Sequence, residues 1–313
     1  MKRLLIVGAE TVVGANLATE ASDRYQVVAL THEPRVSILG CEMLTAGKDG
    51  PSPQEWLEDL QPDAVVLCGP ASRSAWDSAT ETVIDEQMVL SAGEWAAASR
   101  SQECHFTFIS SDAVFSGPWM FHDEDSQAFC PSPGARLILR AEKMAAEQCP
   151  QGLIIRTNAF GWSPAGGSVG WIDQILADLD RRSLQNYDFL RHGTPILATD
   201  LADILLRAID ENLTGLHHVG SAERVNPLQF AQRLADHFEL PWLSVRRAEE
   251  SLDEPVVGFG AGETSLQTKK IRKALCVAMP MLSEGLSRLR AQQQDGYCDQ
   301  FGPDHPVAVR QSA

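Results

Sequence analysis

The sequence predicts a doubly wound α/β fold, and two observations carry that prediction. Short apolar runs of strand length alternate with helical segments through the first half of the chain, and a glycine-containing loop follows the first of those runs. Runs too continuously apolar to keep a wet face belong in a parallel sheet covered by helices on both sides. The strand candidates are Leu4 to Val7, Gln26 to Leu30, Ala64 to Cys68, His105 to Ser110 and Leu153 to Arg156. Helices are expected near Ala15 to Arg24, Pro53 to Leu60, Thr80 to Arg100 and Arg136 to Gln148.

After residue 157 the alternation breaks up. Gly161, Pro164, Gly166, Gly167 and Gly170 form a loop, followed by a polar helix near Ile172 to Arg182, a strand at Thr194 to Ala198 and a helix at Asp200 to Asn212. Asn226-Pro227 is a helix start, because Asn caps free backbone N–H groups and Pro in the first turn has none to lose. The expected division is a dinucleotide-type domain over 1–157 that also uses about 194–220, and a smaller interleaved α/β substrate part over 158–193 and 221–294. Residues 295–313 are polar and read as a disordered tail.

Composition excludes several functions. Lys and Arg number 26 against 42 Asp and Glu, a formal charge of −16, which argues against a nucleic-acid groove built on general positive charge. With 44% hydrophobic and 22% charged residues the chain has ordinary globular usage. Seven cysteines without a C-x-x-C pair offer no disulfide framework or zinc spacing, so no metal site is expected and a reducing cytoplasm fits best. The N-terminus lacks a signal-peptide core, and no run of about 18 apolar residues suggests a membrane span.

The loop Gly8-Ala9-Glu10-Thr11-Val12-Val13-Gly14 follows strand one and opens a helix, the context in which glycines set a pyrophosphate on a helix N-terminus in a Rossmann-type sheet. Gly8 would permit the tight turn and Gly14 the close helix–strand packing. Thr11 takes the place of a middle glycine, and its β-branched side chain is expected to crowd the phosphate. At the end of strand two stand Thr31-His32-Glu33-Pro34-Arg35. With Arg35 near and no acid directly at the strand end, NADP(H) is slightly preferred over NAD(H).

Further on, Ser110-Ser111-Asp112-Ala113-Val114-Phe115-Ser116-Gly117 resembles the S-T-D-Y-V-F-x-G segment of dTDP-4-dehydrorhamnose reductases, which are extended short-chain dehydrogenase/reductases. Ile155-Arg156-Thr157-Asn158, Thr194-Pro195 through Asp200-Leu201-Ala202, and Ser265-Leu266-Gln267-Thr268 through Lys273 are similar to three later segments of that family. Such enzymes pass a hydride from a nicotinamide to a carbonyl with the help of a Ser or Thr and a Tyr-x-x-x-Lys pair. Four residues apart on a helix, the Lys can hold the ribose while the Tyr gives up its proton. Lys143-Met144-Ala145-Ala146-Glu147 resembles the family's K-L-A-G-E, which puts Leu139 where the tyrosine belongs. Tyr25, Tyr187 and Tyr297 are the only tyrosines, and none has Lys at the fourth position after it.

The resemblance implies Ser111 and Lys143 as catalytic residues. It places the cofactor against Gly8, Glu10, Thr11, Val12, Val13, Gly14, Thr31, Arg35, Gly69, Pro70, Ala71, Ser110 and Lys143. Ser111, Asp112, Asn158 and Trp162 are expected to face the substrate, Trp162 by stacking on a base or sugar. Two functions follow as expectations: a reductase, or related catalyst, of a nucleotide-linked keto sugar, and a catalytically silent dinucleotide or nucleotide-sugar binder with a regulatory or subunit role. Either is compatible with a homodimer. His122-Asp123-Glu124-Asp125 reads as a solvated loop, and His217-His218 as a core or surface pair.

Overall fold

Leu4 and Ile6 pack to one side of the first strand and Leu5 and Val7 to the other, and all four are buried, as a strand covered on both faces requires. A computed structural model of the chain describes residues 1–47, 50–77, 80–164, 170–181, 185–241, 245–247 and 258–302. In chain order the elements begin with β1 (Arg3–Val7), α1 (Val12–Ala21), β2 (Gln26–Thr31), β3 (Glu42–Thr45), α2 (Pro53–Leu60), β4 (Ala64–Leu67) and α3 (Glu86–Ser101). There follow β5 (His105–Ser111), α4 (Pro133–Gln148), β6 (Leu153–Thr157), β7 (Ala159–Phe160), α5 (Trp171–Asp180), β8 (Gln185–Tyr187) and β9 (Ile196–Leu197). The chain continues through α6 (Ala198–Asp210), β10 (Gly215–His218), α7 (Pro227–His237), β11 (Val245–Arg247), α8 (Lys269–Leu275) and α9 (Leu282–Gln294).

The main sheet has seven parallel strands in the order β10-β6-β5-β4-β1-β2-β3. Helices α1 and α6 pack together on one face, and α2, α3 and α4 cover the other. Strand order reverses between β1 and β4, so the loops leaving these neighbours diverge and open a crevice at their carboxyl ends. The fold is the Rossmann-type doubly wound sheet that the sequence predicts.

Local chemistry sets the helix starts. Asp85 accepts from Met88 N, so α3 begins at Glu86 and not at Thr80. Ser132 accepts from Ala135 N ahead of Pro133, which starts α4 one turn earlier than the sequence suggests. Asn226 and Gln229 form a capping box at α7. The strand expected over Thr194 to Ala198 shrinks to β9, because Leu197 already caps α6.

Two corrections concern segments read as unstructured. Residues 297–301 form a 3-10 turn in which Phe301 is fully buried, Tyr297 Oη donates to Asn16 Oδ1 at 3.2 Å, and Leu39 N donates to Gln300 O at 2.8 Å. The tail is thus tied to α1 and to the loop after β2, and its remainder, 303–313, lies outside the described residues. His122 is also buried: its ring stacks on Phe115 at 4.4 Å and its Nε2 lies 3.0 Å from Glu263 O. Among the described residues no helix is long and apolar enough to cross a membrane.

Candidate functional site

The loop after β1 is shaped by contacts that only glycine allows. Gly8 has φ +86°, and a Cβ there would stand 1.8 Å from Cys68 O at the end of β4. At Gly14 a Cβ would meet Gly8 O at 2.3 Å, so the first turn of α1 lies directly on the loop. Thr11 is the N-cap of α1: its Oγ1 accepts from Gly14 N at 3.0 Å and donates to Gly8 O at 2.8 Å. This overturns the expectation that Thr11 crowds a phosphate, because its side chain is turned into the loop and held there. The N–H groups of Val12 and Val13 have no acceptor among the described residues, as the first turn of a helix leaves them.

Two cavities adjoin along the carboxyl ends of the central strands. One, of about 580 Å³, runs past Leu30, Ala46, Trp56 and Trp95. The other, of about 300 Å³, lies over Gly8, Glu10, Gly69, Pro70 and Phe108. Both are lined by Val7, His32, Gln87 and Ser91, which makes one continuous cleft across the strand-order reversal. A Cβ at Gly69 would meet nothing within 4 Å, so the backbone there is open to a ligand. Ala71, by contrast, is fully buried in the core and lines neither cavity.

At the end of β2 the Thr31 hydroxyl is buried and accepts from Glu33 N at 2.9 Å. Arg35 is exposed. Glu10 reaches across from the glycine loop to His32, its Oε1 3.3 Å from Nδ1. Burial pushes the Glu10 carboxyl up, but hydrogen bonds from His32 and from the loop backbone outweigh it and hold the group below the usual carboxylate range. The same hydrogen bond raises the His32 imidazole.

The end of β5 is a second, closed polar assembly. Ser110 Oγ donates to Glu142 Oε1 at 2.5 Å, and Glu142 takes both Nε and a terminal nitrogen of Arg156, at 2.8 and 2.7 Å. Ser111 is fully buried and accepts from Ala113 N at 3.1 Å. Asp112 Oδ2 accepts from Thr264 Oγ1 at 2.8 Å and Asn158 Nδ2 at 3.1 Å, while Asn158 Oδ1 accepts from Ser74 Oγ at 2.6 Å. Burial pushes the Asp112 carboxyl up to about 7 in spite of these donors. Asp112 and Asn158 thereby join four distant chain segments.

Two sequence-predicted site residues stand elsewhere than expected. The Lys143 side chain is 76% exposed and lies 3.8 Å from Glu147, facing solvent. The face of α4 turned inward carries Gly134, Ile138 and Glu142, spaced four apart, and one residue further rotates Lys143 away by about 100°. Trp162 is 1% exposed, packed in the core against Phe238, and offers no face to a sugar. A Cβ at Gly134 would lie 3.1 Å from the Phe259 ring, so that ring covers the first turn of α4.

The glycine geometry and the cleft at the strand-order reversal now stand beside a match that spans the fold: residues 1–294 fit the profile of the RmlD substrate binding domain. The chain belongs to the RmlD substrate binding domain family. A curated relative, the probable low-salt glycan biosynthesis reductase Agl14 of Haloferax volcanii, is 23% identical over 249 residues, covering 77% of this chain and 81% of its own. In fold, the chain is similar to the dTDP-4-dehydrorhamnose reductase of Bacillus anthracis solved in complex with NADP, at 20% identity and a TM-score of 0.74, with 93% of this chain and 100% of that one covered. The Bordetella bronchiseptica enzyme WbmH, solved in complex with NAD+, gives a TM-score of 0.75 at 16% identity, covering 94% and 99%.

The buried Glu142–Arg156 pair was not foreseen from the sequence. Two glutamates of α4, Glu142 and Glu147, are equally eligible by pattern, and only burial tells them apart.

Proposed function

We propose that this RmlD-family protein binds a nicotinamide dinucleotide in the cleft and acts as a reductase on a nucleotide-linked keto sugar. The observation that carries the reading is the glycine loop at the strand-order reversal: Gly8 lines the cleft, and the N–H groups of Val12 and Val13, in the α1 first turn beside it, have no acceptor among the described residues. Gly8, Val12, Val13 and Gly14 would hold the diphosphate, and Gly69 and Pro70 would let the reactive ring approach the backbone. Reduced nicotinamide supplies a hydride when bound. Ser111, at the family's Ser/Thr position, would supply the hydroxyl for the substrate carbonyl; it is fully buried, with its Oγ accepting from Ala113 N. The relatives named above, reductases and NAD(P)-bound proteins, support the same class.

A second reading has an observation of its own. The glutamate that closes the family's K-L-A-G-E segment corresponds best to Glu142, the one buried against an arginine of β6; that register puts Ile138 at the lysine and Gly134 at the tyrosine. Neither can hold a ribose or give up a proton, and Phe259 covers Gly134. This favours a binder without turnover, serving a regulatory or subunit role.

Fluorescence titration with NADH and NADPH, followed by a turnover assay with dTDP-4-keto sugars, separates the readings. Binding with turnover supports the reductase. Binding without turnover supports the silent binder, and no binding at millimolar cofactor overturns the reductase and the dinucleotide binder alike, leaving a nucleotide-sugar binder.

A further inference from the structure

Glu10 belongs to the β1–α1 loop, yet its carboxylate stands at the end of β2. Oε2 accepts from His32 N at 3.4 Å and Oε1 lies 3.3 Å from His32 Nδ1, so the side chain is tied to the strand end by two contacts. Glu10 lines the smaller cavity, and His32 lines both. The carboxylate is therefore held in the smaller cavity against a residue that lines both, and on the dinucleotide reading the adenosine ribose, between base and diphosphate, would pass beside it. β2 supplies no acid of its own at this point: the Thr31 hydroxyl is taken up by Glu33 N, and Glu33 itself is exposed.

We propose that Glu10 selects the cofactor, accepting hydrogen bonds from the adenosine ribose hydroxyls and excluding a 2′-phosphate, so that the protein takes NAD(H) in preference to NADP(H). The assignment rests on the dinucleotide reading above and reverses the preference that Arg35 suggests. A ribose diol offers two O–H donors to a carboxylate that can only accept. A 2′-phosphate would bring like charge against that carboxylate in a partly closed cleft, where repulsion is stronger than in bulk water. Glu10 is held by His32, which lines both cavities, whereas Arg35 is exposed and makes no ion pair among the described residues.

The test is a fluorescence titration of the whole protein with NADH and with NADPH at one ionic strength, for wild type, Glu10→Gln and Glu10→Ala, with thermal unfolding to show that the variants fold. Wild type is expected to prefer NADH, and both variants to shrink that preference about tenfold, chiefly by gaining affinity for NADPH. A wild-type preference for NADPH, equal affinities, or a ratio unchanged in both variants overturns the assignment. If wild type binds neither cofactor, the dinucleotide reading fails as well, an outcome distinct from the loss of selectivity alone.

Discussion

Arg156 on β6 and Glu142 on α4 meet in a bidentate ion pair with both side chains under 10% exposed, and Ser110 at the end of β5 donates to the same carboxylate. One pair thus locks a helix to two neighbouring strands. Removing one partner leaves a buried charge without a counterion. Glu142→Ala is expected to lose about 3–5 kcal/mol of stability, while an apolar replacement of both residues loses less. Urea unfolding of the single and double variants checks this; equal losses would mean that the pair is not the lock.

Lys143 faces solvent, so Lys143→Ala is expected to leave dinucleotide affinity within about twofold of wild type, because exposed Lys–carboxylate pairs contribute little. The measurement is the NADH titration, and a large loss of affinity would return Lys143 to the site. For the same geometric reason Leu139→Tyr is expected to produce no ketone reduction in a turnover assay, since Leu139 is off the face that bears Gly134 and Ile138.

Gly8→Ala is expected to abolish dinucleotide binding. An alanine Cβ would fall 1.8 Å from Cys68 O at a φ of +86°, so the loop must move away from β4 or the strand end must yield. Loss of binding with a folded far-ultraviolet dichroism spectrum is the expected pair of results. Normal binding would show that the loop has another conformation open to it.

Two buried groups pull the pH dependence of stability in opposite directions. Burial, and the positive charge of Arg156 nearby, push His218 from 6.5 to about 3, so the unfolded chain binds a proton that the fold refuses, and stability falls as pH drops below 6.5. Asp112 is raised from 3.8 to about 7, so the fold holds a proton that the unfolded chain has released, and stability falls as pH rises from 3.8 toward 7. Asp112→Asn removes the second effect, and its stability is expected to climb more steeply than that of wild type between these limits. Denaturant unfolding at several pH values measures the slopes; parallel slopes would mean that Asp112 does not titrate in this range.

The doubly wound sheet was legible because its strands are buried on both faces, which writes continuous apolar runs into the chain. β3 escaped because it is an edge strand: Glu42 and Thr45 are exposed, leaving no apolar run. The glycine loop could be read because Gly8 and Gly14 are required by close backbone contact. The side-chain directions around it could not, and Thr11 proved to be a cap while Glu10 reached to His32. On α4 the period of four selects a face only when one member is anchored, and the anchor, Arg156, comes from a different strand. The Asp112 cluster draws on Ser74, Asn158 and Thr264, an assembly with no local pattern.

The return of residues 297–301 to α1 bears on how the chain is made. Asn16, fully buried in α1, is contacted by Tyr297, and the loop beyond β2 by Gln300, nearly three hundred residues later in synthesis. The first helix and the glycine loop before it thus emerge from the ribosome long before the residues that finish packing them. Until the chain has grown past Phe301, the amino-terminal segment must wait with apolar surface uncovered, a stage at which chaperones would be expected to engage it.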